Sequence, residues 1–204
     1  DAIVTSGGAA RADLEKRTSG GKRLKLFYLG PNRDTPLLSS LDIVLTGEDE
    51  ADVVLCTGPF NDETETPDDY REMLDHFRLR ALPFLCANPD IVVQRGDKLV
   101  YCAGALGRAY ERMGGPVVWY GKPFAPVFEA ALAESRARGP ALKPLVIGDG
   151  LETDILGANR MGFDALFIAG GIHGAELKQN PEALGALFQK AGVSAAAAMA
   201  SLAW

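Results

Sequence analysis

Asp149 and Asp154 stand five residues apart in Gly148-Asp149-Gly150-Leu151-Glu152-Thr153-Asp154, directly after the apolar run 144–147. An apolar run that ends in such a turn reads as a strand. In open α/β sheets, ligands bind beyond the carboxyl ends of strands. Asp149 therefore projects where an ion would sit, and its flanking glycines let the backbone come close to a ligand. Asp154 falls in the first turn of a helix expected to start near Thr153 and to stop at Gly162, so the chain can fold it back beside Asp149. Two carboxylates this close repel unless a cation lies near them. Oxygen donors alone suit Mg2+, which takes one or two carboxylates plus water and substrate phosphate. A plainer reading also stands: Asp149 as a turn residue, with Thr153 and Asp154 as helix caps. The order of strand, GDxxxTD, helix and second strand weighs towards the cation site.

Two further segments carry polar groups at element ends. Gly121-Lys122-Pro123 follows the apolar run 116–120 and offers one cation where a helix opens. Taken alone, Lys122 also reads as a surface lysine before a proline-started helix. Asn88-Pro89-Asp90 follows the run 82–86 and by itself reads as a turn. Other motifs fail on spacing. Gly115 and Gly121-Lys122 enclose five residues where a P-loop has four, and Pro123 stands where its Ser or Thr would bind metal. Gly104 and Gly107 do not make the dinucleotide fingerprint GxGxxG. His76 and His173 have no paired spacing, so a zinc site is not expected.

The elements that must position these residues alternate along the chain. Strands are expected at 24–29, 52–56, 82–86, 98–102, 116–120, 144–147 and 165–169. Helical stripes lie between several of them: Tyr70, Met73, Leu74 and Phe77; Leu106, Ala109, Tyr110 and Met113; Phe124, Val127, Phe128 and Ala131. Thr66-Pro67 with Asp69 reads as a helix start, while Gly114-Gly115 and Gly139-Pro140 read as helix stops. Strands alternating with helices argue an α/β fold with a largely parallel sheet. The acidic stretch Asp62, Glu63, Glu65, Asp68 and Asp69 reads as a solvated loop and helix start.

Composition bounds the function class. The 204 residues are 47% apolar and 24% charged, the balance of an ordinary globular chain. Lysine and arginine total 21 against 27 acids, a net charge of −6, which argues against general nucleic-acid binding. Cys56, Cys86 and Cys102 are unclustered and read as reduced, buried thiols of a cytoplasmic protein. No apolar run approaches the ~20 residues of a membrane-spanning helix, so no membrane partner is expected. The chain begins Asp1-Ala-Ile-Val, as if already inside a strand, which suggests that the natural N-terminus lies upstream.

GDGLETD at 148–154 resembles the fourth motif of the haloacid dehalogenase (HAD) superfamily of phosphohydrolases, and Gly121-Lys122-Pro123 resembles its third. Four more segments resemble the capped subfamily IIA of sugar and p-nitrophenyl phosphatases. They are Ala2-Ile-Val-Thr-Ser6 before the cap, Ala87-Asn88-Pro89-Asp90 in the cap loop, Ala103-Gly104-Ala105-Leu106 before a cap helix, and Gly170-Gly171-Ile172-His173 after the last core strand. The resemblance covers nearly the whole chain in order. It implies a HAD-like Rossmannoid parallel-sheet core, its N-terminal part missing, formed by residues 1–21 and 118–204. Residues 22–117 would form an inserted α/β cap domain. It further implies that Asp149 binds Mg2+, that Lys122 neutralises the phosphoryl group and the nucleophile, and that Asp154 holds Lys122 or a metal-bound water. Asn88 and Asp90 would help choose the substrate, a small phosphorylated metabolite, and exposed cap strands could pair in a homodimer.

The family's first motif, DxD, supplies a nucleophilic aspartate, and no Asp-x-Asp follows an apolar strand here. Thr5-Ser6 could pass for the phosphate-binding second motif, but its context fits the segment leading into the cap. An aspartyl-phosphate mechanism needs its nucleophile. The expectation is therefore a Mg2+-dependent phosphatase in the complete protein and an inactive 204-residue polypeptide. Two alternatives remain. One is an inactive relative that binds a phosphorylated metabolite or a partner through its cap. The other is an interaction module in which the acids merely cap helices.

Overall fold

A computed structural model describes residues 2–19, 21, 23–139, 143–180 and 182–202. The chain divides into two compact units, Asp1–Gly121 and Lys122–Trp204.

The first unit is built on a parallel sheet. Its strands are β1 (Leu24–Leu29), β2 (Ile43–Leu45), β3 (Val53–Cys56), β4 (Phe84–Cys86) and β7 (Val117–Trp119), in the order β2-β1-β3-β4-β7. β3 and β4 are buried along their whole length, as expected for central strands of a parallel sheet. Helix α1 (Ser6–Thr18) precedes the sheet; α2 (Arg71–Leu79) and α3 (Ala103–Arg112) follow β3 and the hairpin. The stripes on α2 and α3 turn inward as the periodicity requires: Tyr70, Leu74, Phe77, Leu106 and Tyr110 are all buried. A short 3-10 turn, Pro67–Tyr70, leads into α2 and opens on a capping box. The Asp69 carboxylate accepts the Thr66 N–H at 2.7 Å, at the position expected.

Three elements of this unit, α1, β2 and β5, were not legible in the pattern, and two expectations are overturned. β5 (Val92–Arg95) pairs antiparallel with β6 (Lys98–Tyr101) through a Gly96-Asp97 turn in which Gly96 has φ +61°. β5 carries two polar residues and alternates poorly, which hid it. Residues 2–5 form no strand; Thr5 instead caps α1, its hydroxyl accepting the Gly8 N–H at 3.0 Å. The acidic stretch is not solvated throughout. Asp62 is buried and accepts two bonds from the Arg95 guanidinium, at 3.0 and 2.7 Å, and one from Arg33. These donors, Arg95 foremost, hold its pKa down at about 2. The pair fastens the hairpin to the loops after β1 and β3.

The second unit has a three-stranded parallel sheet, β8 (Leu145–Gly148), β9 (Asp164–Ile168) and β10 (Ala197–Met199), in the order β10-β9-β8. α4 (Ala125–Arg138), α5 (Leu156–Met161), α6 (Gly174–Gln179) and α7 (Ala183–Ala191) surround it. The core is Leu151, Ile155, Ala158, Ala165, Phe167 and Leu177. Gly157 lets α5 lie against α4, since a Cβ there would come within 2.4 Å of the Phe128 ring. Gly162, in the left-handed region at φ +68°, ends α5 at the expected residue. β10 went unread because its Ala-rich sequence has neither β-branched residues nor alternation. Pro140, part of the expected stop of α4, lies outside the described residues.

All three cysteines are free and buried, and no helix among the described residues is long and apolar enough to cross a membrane.

Candidate active site in the second unit

β8 and β9 run parallel with Gly148 level with Phe167, so the turns that follow them lie side by side. Asp149 leaves β8 into this pair of turns. One of its oxygens accepts the Ile172 N–H at 2.8 Å, from the turn after β9. Gly171 makes that approach possible: a Cβ at this position would sit 2.1 Å from the same oxygen. Among the described residues the second oxygen of Asp149 accepts no hydrogen bond, and the residue is half-buried. One end of the carboxylate is thus held and the other is open.

Asp154 sits differently. The expected helix start is a wider turn, Leu151–Ile155, closed by the Ile155 N–H on the Gly150 carbonyl at 3.0 Å, and regular α-helix begins only at Leu156. Such i→i−5 turns recur at functional sites. The turn carries Asp154 back over the end of β8, where it is buried. Its Oδ2 accepts the Gly150 N–H at 3.1 Å and its Oδ1 accepts the Lys122 ammonium at 2.6 Å. The capping reading and the catalytic reading are served by different oxygens of one carboxylate. The Lys122 side chain is about half exposed, 51% against 10% for Asp154, so a buried acid is paired with a partly exposed lysine. Lysine has three donors, and one is taken here.

The glycines around Asp149 serve the protein's own carboxylate and hydroxyl. A Cβ on Gly148 would fall 2.3 Å from the Asp154 carboxyl carbon, and one on Gly150 would fall 2.0 Å from the Thr153 hydroxyl. Their φ values lie outside the positive-φ set, so close approach decides these positions. At these two positions the nearest neighbours of an added Cβ are side chains of the protein itself.

Asn88 and Asp90 belong to the first unit. The Asn88 side-chain oxygen accepts the Asp90 N–H at 3.1 Å, the turn geometry of the plain reading. The loop is pressed onto the start of α3: the Gly104 N–H donates to the Asp90 carbonyl at 3.1 Å, and a Gly104 Cβ would meet the Pro89 carbonyl at 2.2 Å. Gly121 lies against the same loop. A Cβ there would be 2.3 Å from the Pro89 ring and 3.4 Å from Cβ of Ser6, at the N-terminus of α1. Pro89 and Ser6 therefore flank the residue that precedes Lys122.

A cation site can be tested on these groups. Among the described residues, no three His, Cys, Asp or Glu side chains converge as a metal cage. A hard divalent cation that takes one carboxylate from this chain and the rest from water and phosphate fits the open oxygen of Asp149. Asp154, with both oxygens engaged, fits the role of holding Lys122 better than that of a ligand.

Comparison with known proteins finds the same region. The HAD-hydrolase-like family model matches residues 119–190, which include Lys122, Asp149 and Asp154. A solved haloacid dehalogenase-like hydrolase from Brucella suis is 46% identical, with a TM-score of 0.73, over 86% of this chain and 67% of that one. A p-nitrophenyl phosphatase from Archaeoglobus fulgidus is similar in fold, with 20% identity and a TM-score of 0.70 over 95% of this chain and 70% of that one. A glycerol phosphate phosphatase from Mycobacterium tuberculosis, solved in complex with calcium, is 25% identical, with a TM-score of 0.62 over 83% of this chain and 48% of that one. No curated protein sequence matches.

Proposed function

The chain belongs to the haloacid dehalogenase-like family of hydrolases, and from that premise we propose that it serves a Mg2+-dependent phosphatase acting on small phosphate monoesters. The observation that carries the reading is the Lys122 ammonium held at 2.6 Å by the buried carboxylate of Asp154, in the same unit as the open oxygen of Asp149. Phosphoryl transfer is mainly positioning and charge neutralisation, and a fixed lysine supplies both at one oxygen. Lys122 would neutralise the phosphoryl group, and Asp154 would keep the ammonium from swinging into solvent. Asp149 would hold Mg2+, which when bound polarises the phosphoryl oxygens as a Lewis acid. The nucleophile of the aspartyl-phosphate route would be a further carboxylate, since among the described residues Lys122 forms its ion pair with Asp154, which is already engaged. Asn88 and Asp90, in the loop on α3, would meet the leaving group, and the parallel sheet of the first unit would act as the cap. The solved phosphatases of similar fold, one with bound calcium, support a divalent ion and a phosphate ester.

The test uses the full-length protein as its gene encodes it. Phosphate release from p-nitrophenyl phosphate and a panel of sugar phosphates is measured with Mg2+ and with excess chelator. Hydrolysis that disappears with chelator, and falls about 10²-fold or more in Asp149→Asn and Lys122→Ala, is the expected result. Metal-independent turnover, or full activity in both variants, would overturn the assignment.

A further inference from the structure

A cavity of about 420 Å3 opens in the second unit, lined in part by the two turns that hold the carboxylates. That size suits a small organic ligand. Its walls are mainly apolar, with Leu151, Ile172, Leu187 and Ala191 contributing. Lys190, from the last turn of α7, is the one lining group with a permanent positive charge, and among the described residues it forms no ion pair. Glu152 is the one lining acid. His173 is held by its ring contact with the buried Phe167, centroids 6.1 Å apart, and Thr153 adds a hydroxyl.

We propose that this cavity is a binding site for a small monocarboxylate with an aromatic or branched aliphatic body. The apolar walls take the body. Lys190 takes the charge, with His173 as a second polar partner. Glu152 disfavours a second negative charge, so a monoanion is preferred over a phosphate dianion or a dicarboxylate. The site is not the one proposed for the phosphoryl group, but it shares walls with it. Gly150, whose N–H donates to Asp154, and Ile172, whose N–H donates to Asp149, both line the cavity. A ligand seated there presses on the two peptide segments that orient both carboxylates, which couples its occupancy to the geometry of the candidate active site.

The experiment needs no catalysis, so its outcome is independent of the phosphatase reading. Isotope-labelled protein is titrated with benzoate, benzyl alcohol and benzylammonium, and the backbone amide signals of Gly150, Ile172 and His173 are followed. Saturable shifts with benzoate at millimolar concentration are expected, with at least fivefold weaker binding for the alcohol and for the ammonium. Lys190→Gln should weaken benzoate at least fivefold, Leu187→Trp should fill the cavity and abolish the shifts, and Lys122→Ala should leave them in place. Absence of saturable shifts at these amides, equal binding of the three probes, or undiminished benzoate binding in Lys190→Gln would each overturn the proposal. Loss of the shifts in Lys122→Ala would also overturn it, by assigning them to the phosphoryl site.

Discussion

Asp154 shows how little room a buried, fully engaged carboxylate leaves its neighbours. Its carboxyl group fills the space where a Gly148 side chain would be, and both of its oxygens are engaged. The short, buried side chain cannot swing aside without abandoning Lys122. Gly148→Ala is therefore expected to cost about 1–3 kcal/mol of stability, the usual cost of overpacking, and to break the ion pair with Lys122. Gly185→Ala is the control: that glycine lies within α7 with nothing within 4 Å of a Cβ. There the substitution should stabilise by about 0.5–1 kcal/mol, because alanine loses less backbone entropy in a helix. Urea denaturation of both variants decides the point. A neutral Gly148→Ala would show that the carboxylate has somewhere else to go.

Among the elements, the β5–β6 hairpin depends most on one residue. Little of it is buried beyond Val100, and the Arg95 fork on Asp62 ties it to the rest of the unit. Asp62 is buried and its pKa is held at about 2, below the ordinary carboxylate value. A carboxylate with a depressed folded-state pKa contributes stability that is fully present above its unfolded pKa of about 4 and is lost as pH falls towards the folded value. The shift corresponds to roughly 2 kcal/mol. Asp62→Asn should thus be less stable than the parent by about that amount near neutral pH, and the gap should close at about pH 2. Denaturation curves at both pH values test this; a gap that does not change with pH would mean that Asp62 acts through packing and not through charge.

Across the molecule, the sheet of the second unit leaves an apolar margin. β8 pairs with β9 on one side and with no other strand among the described residues. Leu145 and Ile147, on its outward face, are 53% and 42% exposed. An exposed apolar edge strand is a template for pairing with another chain, and lysine on such an edge blocks it. The 204-residue chain is therefore expected to associate as its concentration rises, and Ile147→Lys to suppress this, as read by light scattering. Equal scattering by the two proteins would place any association elsewhere. The net charge of −6 works in the same direction as the lysine only weakly, because physiological salt screens it beyond about 8 Å.

The sequence by itself determined the α/β class, the approximate strands at 24–29, 52–56, 82–86, 98–102, 116–120, 144–147 and 165–169, and the candidate acids at 149 and 154. These follow from short-range rules: strand alternation, helical stripes and the residues that cap and stop helices act within a few positions of one another. Long-range contacts lay beyond it. That Ile172 holds Asp149 from the next strand's turn depends on the register of β8 against β9, and that Lys122 reaches Asp154 across 32 residues depends on the segment at Pro123 lying against Gly157 of α5. The burial of Asp62 needed two arginines, 29 and 33 residues away in sequence, to converge on it. Residues 2–5 could read as strand because their apolar pattern is local, yet strand formation requires a partner, and only the tertiary structure decides whether one is there.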